Sequence, residues 1–150
     1  MIGLLQRVSS AQVSINNKIV AKIGTGLLVL IGIEKGDTRQ QADRLLDKIL
    51  AYRIFSDKEG KMNLSLTELN HGLLLVPQFT LPADTKKGMR PSFSSAASPE
   101  LGGGLFEYLL SCARQKHTIV DSGQFGMDMQ VSLTNDGPVT FWLQIPPAKD

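Results

Sequence analysis

Leu27-Leu28-Val29-Leu30-Ile31-Gly32-Ile33 is apolar at every position. A strand with one wet face alternates polar and apolar residues, so this run predicts a strand covered on both faces, near the centre of a sheet. Upstream, residues 2–8, 11–16 and 18–23 alternate or are rich in Val and Ile, with Asn16-Asn17 as a tight turn between the last two. They read as a meander of three strands. Downstream, Asp37 or Thr38 caps a helix in which Ala42, Leu45, Leu46, Ile49 and Arg53 share one stripe, running to about Ile54. After a turn at Asp57-Lys58-Glu59-Gly60, Gly72 precedes a second buried strand, Leu73-Leu74-Leu75-Val76.

Residues 82–97 read as a polar loop, and Ser98-Pro99-Glu100 has the cap-then-proline form of a helix start. Leu101, Leu105, Leu109 and Cys112 follow at helical spacing. Gly102-Gly103-Gly104 should fray the first turns, at about 1 kcal/mol per glycine relative to alanine. Strands are expected at about 118–122, 129–135 and 139–145, with Pro146-Pro147 ending the structure. The expectation is one mixed α/β domain over residues 1–150 in which strands outnumber two main helices.

With 42% apolar residues the chain can bury a continuous core without staples. Sixteen basic against 14 acidic residues leave a charge of only +2, too little for a chain whose main work is neutralising many phosphates. Nucleic-acid contact should therefore be local. The single cysteine, Cys112, excludes an internal disulfide, and no Cys or His cluster has metal-ligand spacing, so neither a metal nor another cofactor is expected. The N-terminus lacks the form of a signal peptide, and the longest apolar run is far short of the roughly 20 residues that span a bilayer. A cytoplasmic protein without membrane partners is expected.

The candidates for chemistry are few. A serine or cysteine nucleophile needs an adjacent base, and His71 and His117 are the only histidines. Neither sits in a motif; solvent-facing or helix-dipole roles explain them. Asp84, Asp121, Asp128 and Asp136 fall in or near loops, where Asp136 shapes a turn. Two segments stand out instead: Pro77-Gln78-Phe79-Thr80-Leu81 and Asn135-Asp136-Gly137-Pro138-Val139-Thr140. Each presents hydroxyl, amide and backbone groups at the end of an apolar run, where a rigid scaffold can offer them to a ligand.

Gln78-Phe79-Thr80-Leu81, the loop Lys86-Lys87-Gly88-Met89-Arg90-Pro91-Ser92-Phe93, the run Phe125-Gly126-Met127-Asp128-Met129 and the Asn135–Thr140 segment closely resemble the D-aminoacyl-tRNA deacylases. The resemblance covers essentially the whole chain. It departs at Pro77, where the family usually has serine, and so removes a hydroxyl and a backbone N–H.

The resemblance implies two main helices packed on β-sheet in β/β/α layers, and hydrolysis of the ester joining a D-amino acid, or glycine mischarged on an alanine tRNA, to the terminal ribose. It implies a catalytic group of Thr80, Gln78 and Phe79, with Gly137, Pro138, Arg7 and Met129 binding substrate. The Gly-Pro pair would be cis and reach into the partner's site, making the protein a homodimer. Lys86, Lys87 and Arg90 would meet the acceptor end of the aminoacyl-tRNA, with Phe93 or Met89 near the terminal adenine. Thr80 can act as nucleophile, or the RNA's own hydroxyl can assist while the N–H groups of Phe79 and Thr80 hold the oxyanion. The second needs no absent base and is preferred. The competing readings are a hydrolase of other D-amino-acid esters or peptides, and a non-catalytic RNA-binding module.

Overall fold

The computed structural model describes residues 1–149. The all-apolar run lies in strand β3 (Gly26–Gly32), the middle strand of the path β2 (Lys18–Ile23), β1 (Ile2–Ile15), β3, β6 (Gly72–Pro77) and β7 (Val120–Ser122). Its side chains alternate between two buried layers. Leu27, Val29 and Ile31 join Leu73 and Leu75 in the core under the helices, while Leu28 joins Leu74 and Val76 on the other face. This second layer also takes Val13, Ala21 and Ile23, so the sheet curls over itself into a nearly closed barrel, with Lys22 N donating to Asp121 Oδ2 at 2.9 Å between its two ends.

Strand β1 (Ile2–Ile15) is one 14-residue strand where two were expected. Residues 2–8 pair with β3 and residues 11–15 with β2 (Lys18–Ile23), so the apolar pattern breaks at Ser9-Ser10 because the strand changes partner there. Asn16 and Asn17, at φ 50° and 64°, form the tight turn between β1 and β2. Strand β8 (Gln130–Gln144) likewise joins the two expected strands, running antiparallel to nearly all of β1 with its register broken around Arg7.

Thr38 caps helix α1 (Arg39–Ala51) in a capping box: Gln40 N donates to Thr38 Oγ1 at 3.2 Å, and Gln41 Oε1 accepts from Thr38 N at 2.8 Å. The helix stops three residues before Ile54 because Tyr52 is extended. Arg53 therefore leaves the stripe and donates to Asn63 O at 3.1 Å. The 57–60 turn links strands β4 (Phe55–Ser56) and β5 (Met62–Leu64), and a single turn of helix, α2 (Leu66–Leu69), follows. Strand β6 (Gly72–Pro77) runs parallel to β3, and β7 (Val120–Ser122) parallel to β6.

Helix α3 (Pro99–Lys116) starts where expected, with Leu101 N donating to the Ser98 hydroxyl at 3.3 Å. Its glycines are helical rather than frayed. A Cβ on Gly102 would stand 3.1 Å from Phe125 Cζ and one on Gly103 3.3 Å from Phe125 Cδ1, so the missing side chains seat the Phe125 ring. The buried stripe is Leu105, Phe106, Leu109, Leu110 and Ala113, which leaves Leu101 exposed. His117 is not solvent-facing: it is buried at the end of α3, its Nε2 bonded to the His71 carbonyl. No helix among the described residues is long and apolar enough to cross a membrane.

Candidate active site

Pro77 ends both β6 and its pairing with β7. Along that ladder Leu73 N donates to Ile119 O and Gly123 N to Leu75 O, each at 2.9 Å, and residue 77 would donate next. A proline has no N–H. The chain beyond Gly123 leaves the sheet, and its Phe125–Val131 segment becomes one wall of a cavity of about 900 Å³. The segment around Phe93 to Pro99 and the Pro77-Gln78-Phe79 corner make the others. Phe93, Phe125, Met127 and Met129 give the cavity an apolar lining, and Lys35 and Asp128 are its only charged residues among those described.

On the β3 side the ladder continues for one more bond, Gln78 N to Ile31 O at 2.7 Å. The chain then reverses through a four-residue turn closed by Leu81 N to Gln78 O at 3.3 Å, so Phe79 and Thr80 occupy its two corners. Thr80 thus stands three residues beyond the end of β6. It is exposed. Gln78 Nε2 donates to Thr80 Oγ1 at 2.6 Å, which engages a lone pair and leaves the hydroxyl proton free to donate outward. Among the described residues nothing accepts from the backbone N–H of Phe79 or of Thr80. Two adjacent free donors at the mouth of an apolar cavity are an arrangement suited to a developing oxyanion.

Gly137 and Pro138 lie elsewhere. The Asn135–Thr140 segment bulges from β8 opposite Arg7, and the Gly137–Pro138 peptide bond is cis. Side chains brace the bulge from within: Val139 N donates to Asn135 Oδ1 and Asn135 Nδ2 to Thr140 Oγ1, both at 2.9 Å. Arg7 braces it from below, its Nε donating to Asp136 O at 3.1 Å and its Nη1 to Ile54 O at 2.8 Å. Arg7 is thus a largely covered strut between two loops.

In register, Arg7 stands opposite Leu27 and Leu27 opposite Leu73, whereas Gln78 is five residues further along. At about 3.3 Å per residue, the bulge and the turn of one chain are about 16 Å apart along the strands. The sequence-predicted residues therefore fall into three places. Gln78, Phe79 and Met129 line the cavity with Thr80 in the adjoining turn; Gly137 and Pro138 are in the bulge that Arg7 braces; Lys86, Lys87 and Arg90 lie outside the lining, on the loop whose base is the Asp84–Ser92 bridge. Phe93 leans on Phe79, ring centroids 5.7 Å apart, while Met89 is fully exposed. Lys35 went unnoticed in the sequence, because nothing local distinguishes it from any turn lysine.

A family described as D-Tyr-tRNA(Tyr) deacylase matches residues 4–144. The chain is 60% identical over 148 residues to the D-aminoacyl-tRNA deacylase of Herminiimonas arsenicoxydans, covering 99% of each. It is 63% identical over 145 residues to that of Pseudomonas putida strain W619, covering 97% of this chain and all of the relative. Among solved structures it resembles the c-Myc DNA unwinding element binding protein, with TM-score 0.93, 36% identity and coverage of 97% and 99%. A probable eukaryotic D-amino acid tRNA deacylase shares the fold at TM-score 0.83 and 21% identity, covering 96% of this chain and 98% of that one.

Proposed function

Because the chain belongs to the D-Tyr-tRNA(Tyr) deacylase family and is a D-aminoacyl-tRNA ester hydrolase, we propose that its two separated signature segments form one site across a homodimer. The observation that carries the catalytic part of this reading is the pair of amides at Phe79 and Thr80, beside the apolar cavity and without an acceptor among the described residues. The terminal adenosine enters the cavity, and the ester carbonyl oxygen points at the two N–H groups. Water adds to the carbonyl carbon with help from the ribose hydroxyl, and the oxyanion is held by the amides. The C–O bond to the ribose then breaks, and the ribose oxygen takes the proton that the attacking water gave up through the neighbouring ribose hydroxyl. Free tRNA and a D-amino acid leave. The substrate makes the cytoplasm the place of work, with Lys86, Lys87 and Arg90 meeting the acceptor stem.

Chirality is read at Cα. The carbonyls of Gly137 and Pro138 from the other subunit hold the substrate ammonium, so that an L side chain strikes backbone and a D side chain points away. Glycine, lacking a side chain, also passes, which makes glycine mischarged on alanine tRNA a second substrate. Support for action across the dimer comes from the register: a chain's own bulge is about 16 Å from its own turn, too far for one ligand atom to touch both. Met129 lines the cavity and Arg7 holds the bulge.

The test is hydrolysis of D-tyrosyl-tRNA against L-tyrosyl-tRNA. Release of the D-amino acid alone is expected; equal rates, or none, would refute the reading. Thr80→Ala should lower kcat less than about tenfold, because an orienting hydroxyl leaves most of the catalytic unit intact, whereas loss of a covalent nucleophile costs nearly all of it. An acyl group trapped on Thr80 would overturn the RNA-assisted route.

A further inference from the structure

Among the described residues Lys35 is the one cation lining the cavity, and the deacylation steps give it no task. Its position is built rather than incidental. Lys35 N donates to Ser95 O at 3.0 Å, Glu34 bridges Ala96, and Ala97 N donates to Ile33 O at 2.9 Å, so residues 33–35 are laced to the cavity wall. Lys35 is the first corner of the Glu34–Asp37 turn, which Asp37 N closes by donating to Glu34 O at 3.1 Å, and it is exposed. The Glu34 carboxylate is engaged elsewhere, taking bonds from the Met1 nitrogen at 2.9 Å and from Gln144 Nε2 at 3.0 Å, while Lys35 lines the cavity. Its ammonium pairs with no carboxylate among the described residues.

We propose that Lys35 binds the phosphate on the 5′ side of the terminal nucleoside and thereby sets how deeply the acceptor end enters the site. The inference rests on the deacylase reading. A nucleoside whose base is taken up by Phe93, Phe125 and the methionines carries its 5′-phosphate to the cavity rim, the place an ammonium on a flexible stem serves best. Asp128, on the Phe125–Val131 wall, repels a phosphate from that side. Lys86, Lys87 and Arg90 are outside the lining and are left for phosphates farther along the acceptor strand.

The test compares D-tyrosyl esters of adenosine and of 5′-AMP, which differ by that one phosphate, together with D-tyrosyl-tRNA. In Lys35→Met, KM should rise about 3- to 10-fold for the AMP ester and the tRNA with kcat nearly unchanged, and the penalty should be confined to these two. The slope of log(1/KM) for tRNA against log salt should become shallower by about 0.7, the value for one phosphate contact on a single strand, and Lys35→Arg should restore both. A merely structural role would not move the salt slope. Equal penalties on the two esters, or no penalty, would sink the proposal while leaving the deacylase reading intact. Failure of the unaltered protein to cleave any of the three would remove both.

Discussion

Phe79→Pro should lower kcat for D-aminoacyl-tRNA by about 10²- to 10³-fold relative to Phe79→Ala, the usual cost of deleting one oxyanion donor. Phe79 is the first corner of the Gln78–Leu81 turn, the position at which proline's fixed φ is welcome. Gln78, just before it, still extends the β3 ladder through its bond to Ile31 O, and an extended residue is what a following proline requires. The substitution therefore removes an N–H with little disturbance of the backbone. It also removes the ring that leans on Phe93, and Phe79→Ala measures that loss separately. Thermal unfolding of the two variants should agree within a few degrees. Equal kcat values for the two would mean that the Phe79 amide does not hold the oxyanion, and the carrying observation of the proposed mechanism would fall.

Gly137→Ala should cost about 100-fold in kcat/KM on D-substrates. At φ 138° the residue occupies a conformation that L side chains rarely adopt, and an added Cβ would stand 2.6 Å from Val139 Cγ2 and 2.9 Å from Val139 N. The second of these neighbours is backbone, held by its bond to Asn135 Oδ1, so the bulge itself must shift. Displacing a substrate-positioning group by about 1 Å costs about 10²-fold. The same variant tests the dimer. In a mixture of Phe79→Pro and Gly137→Ala chains, each heterodimer would hold one doubly defective and one intact site, and random pairing should return about one quarter of the unaltered activity. No recovery after verified subunit exchange would show that turn and bulge act within one chain, against the register. Full activity of a sedimenting monomer would do the same.

Much of the fold was legible because burial on both faces leaves a mark on sequence that local turns cannot hide. Leu27–Ile33 and Leu73–Val76 are apolar at every position, and each strand supplies alternate side chains to two separate cores. Ser9-Ser10 misled for the converse reason: the polar residues mark a change of partner from β3 to β2, and a hydropathy pattern cannot tell that from a strand end. The three glycines of α3 misled similarly, since their cost to an isolated helix is plain in sequence while the Phe125 ring that occupies their missing side chains comes from a distant loop.

The site divides along the same line. Residue identity and order by themselves determined the family, the two signature segments and the kind of chemistry a chain without a triad can perform. Tertiary structure alone decided that the Phe79 and Thr80 amides lack acceptors among the described residues, that Pro77 ends the β6–β7 ladder beside the cavity, that Arg7 is a strut, and that Lys35 lines the cavity. Each of these depends on which groups from remote parts of the chain come within hydrogen-bonding or van der Waals reach. Local sequence records a residue's own preferences, and those four facts are about its neighbours.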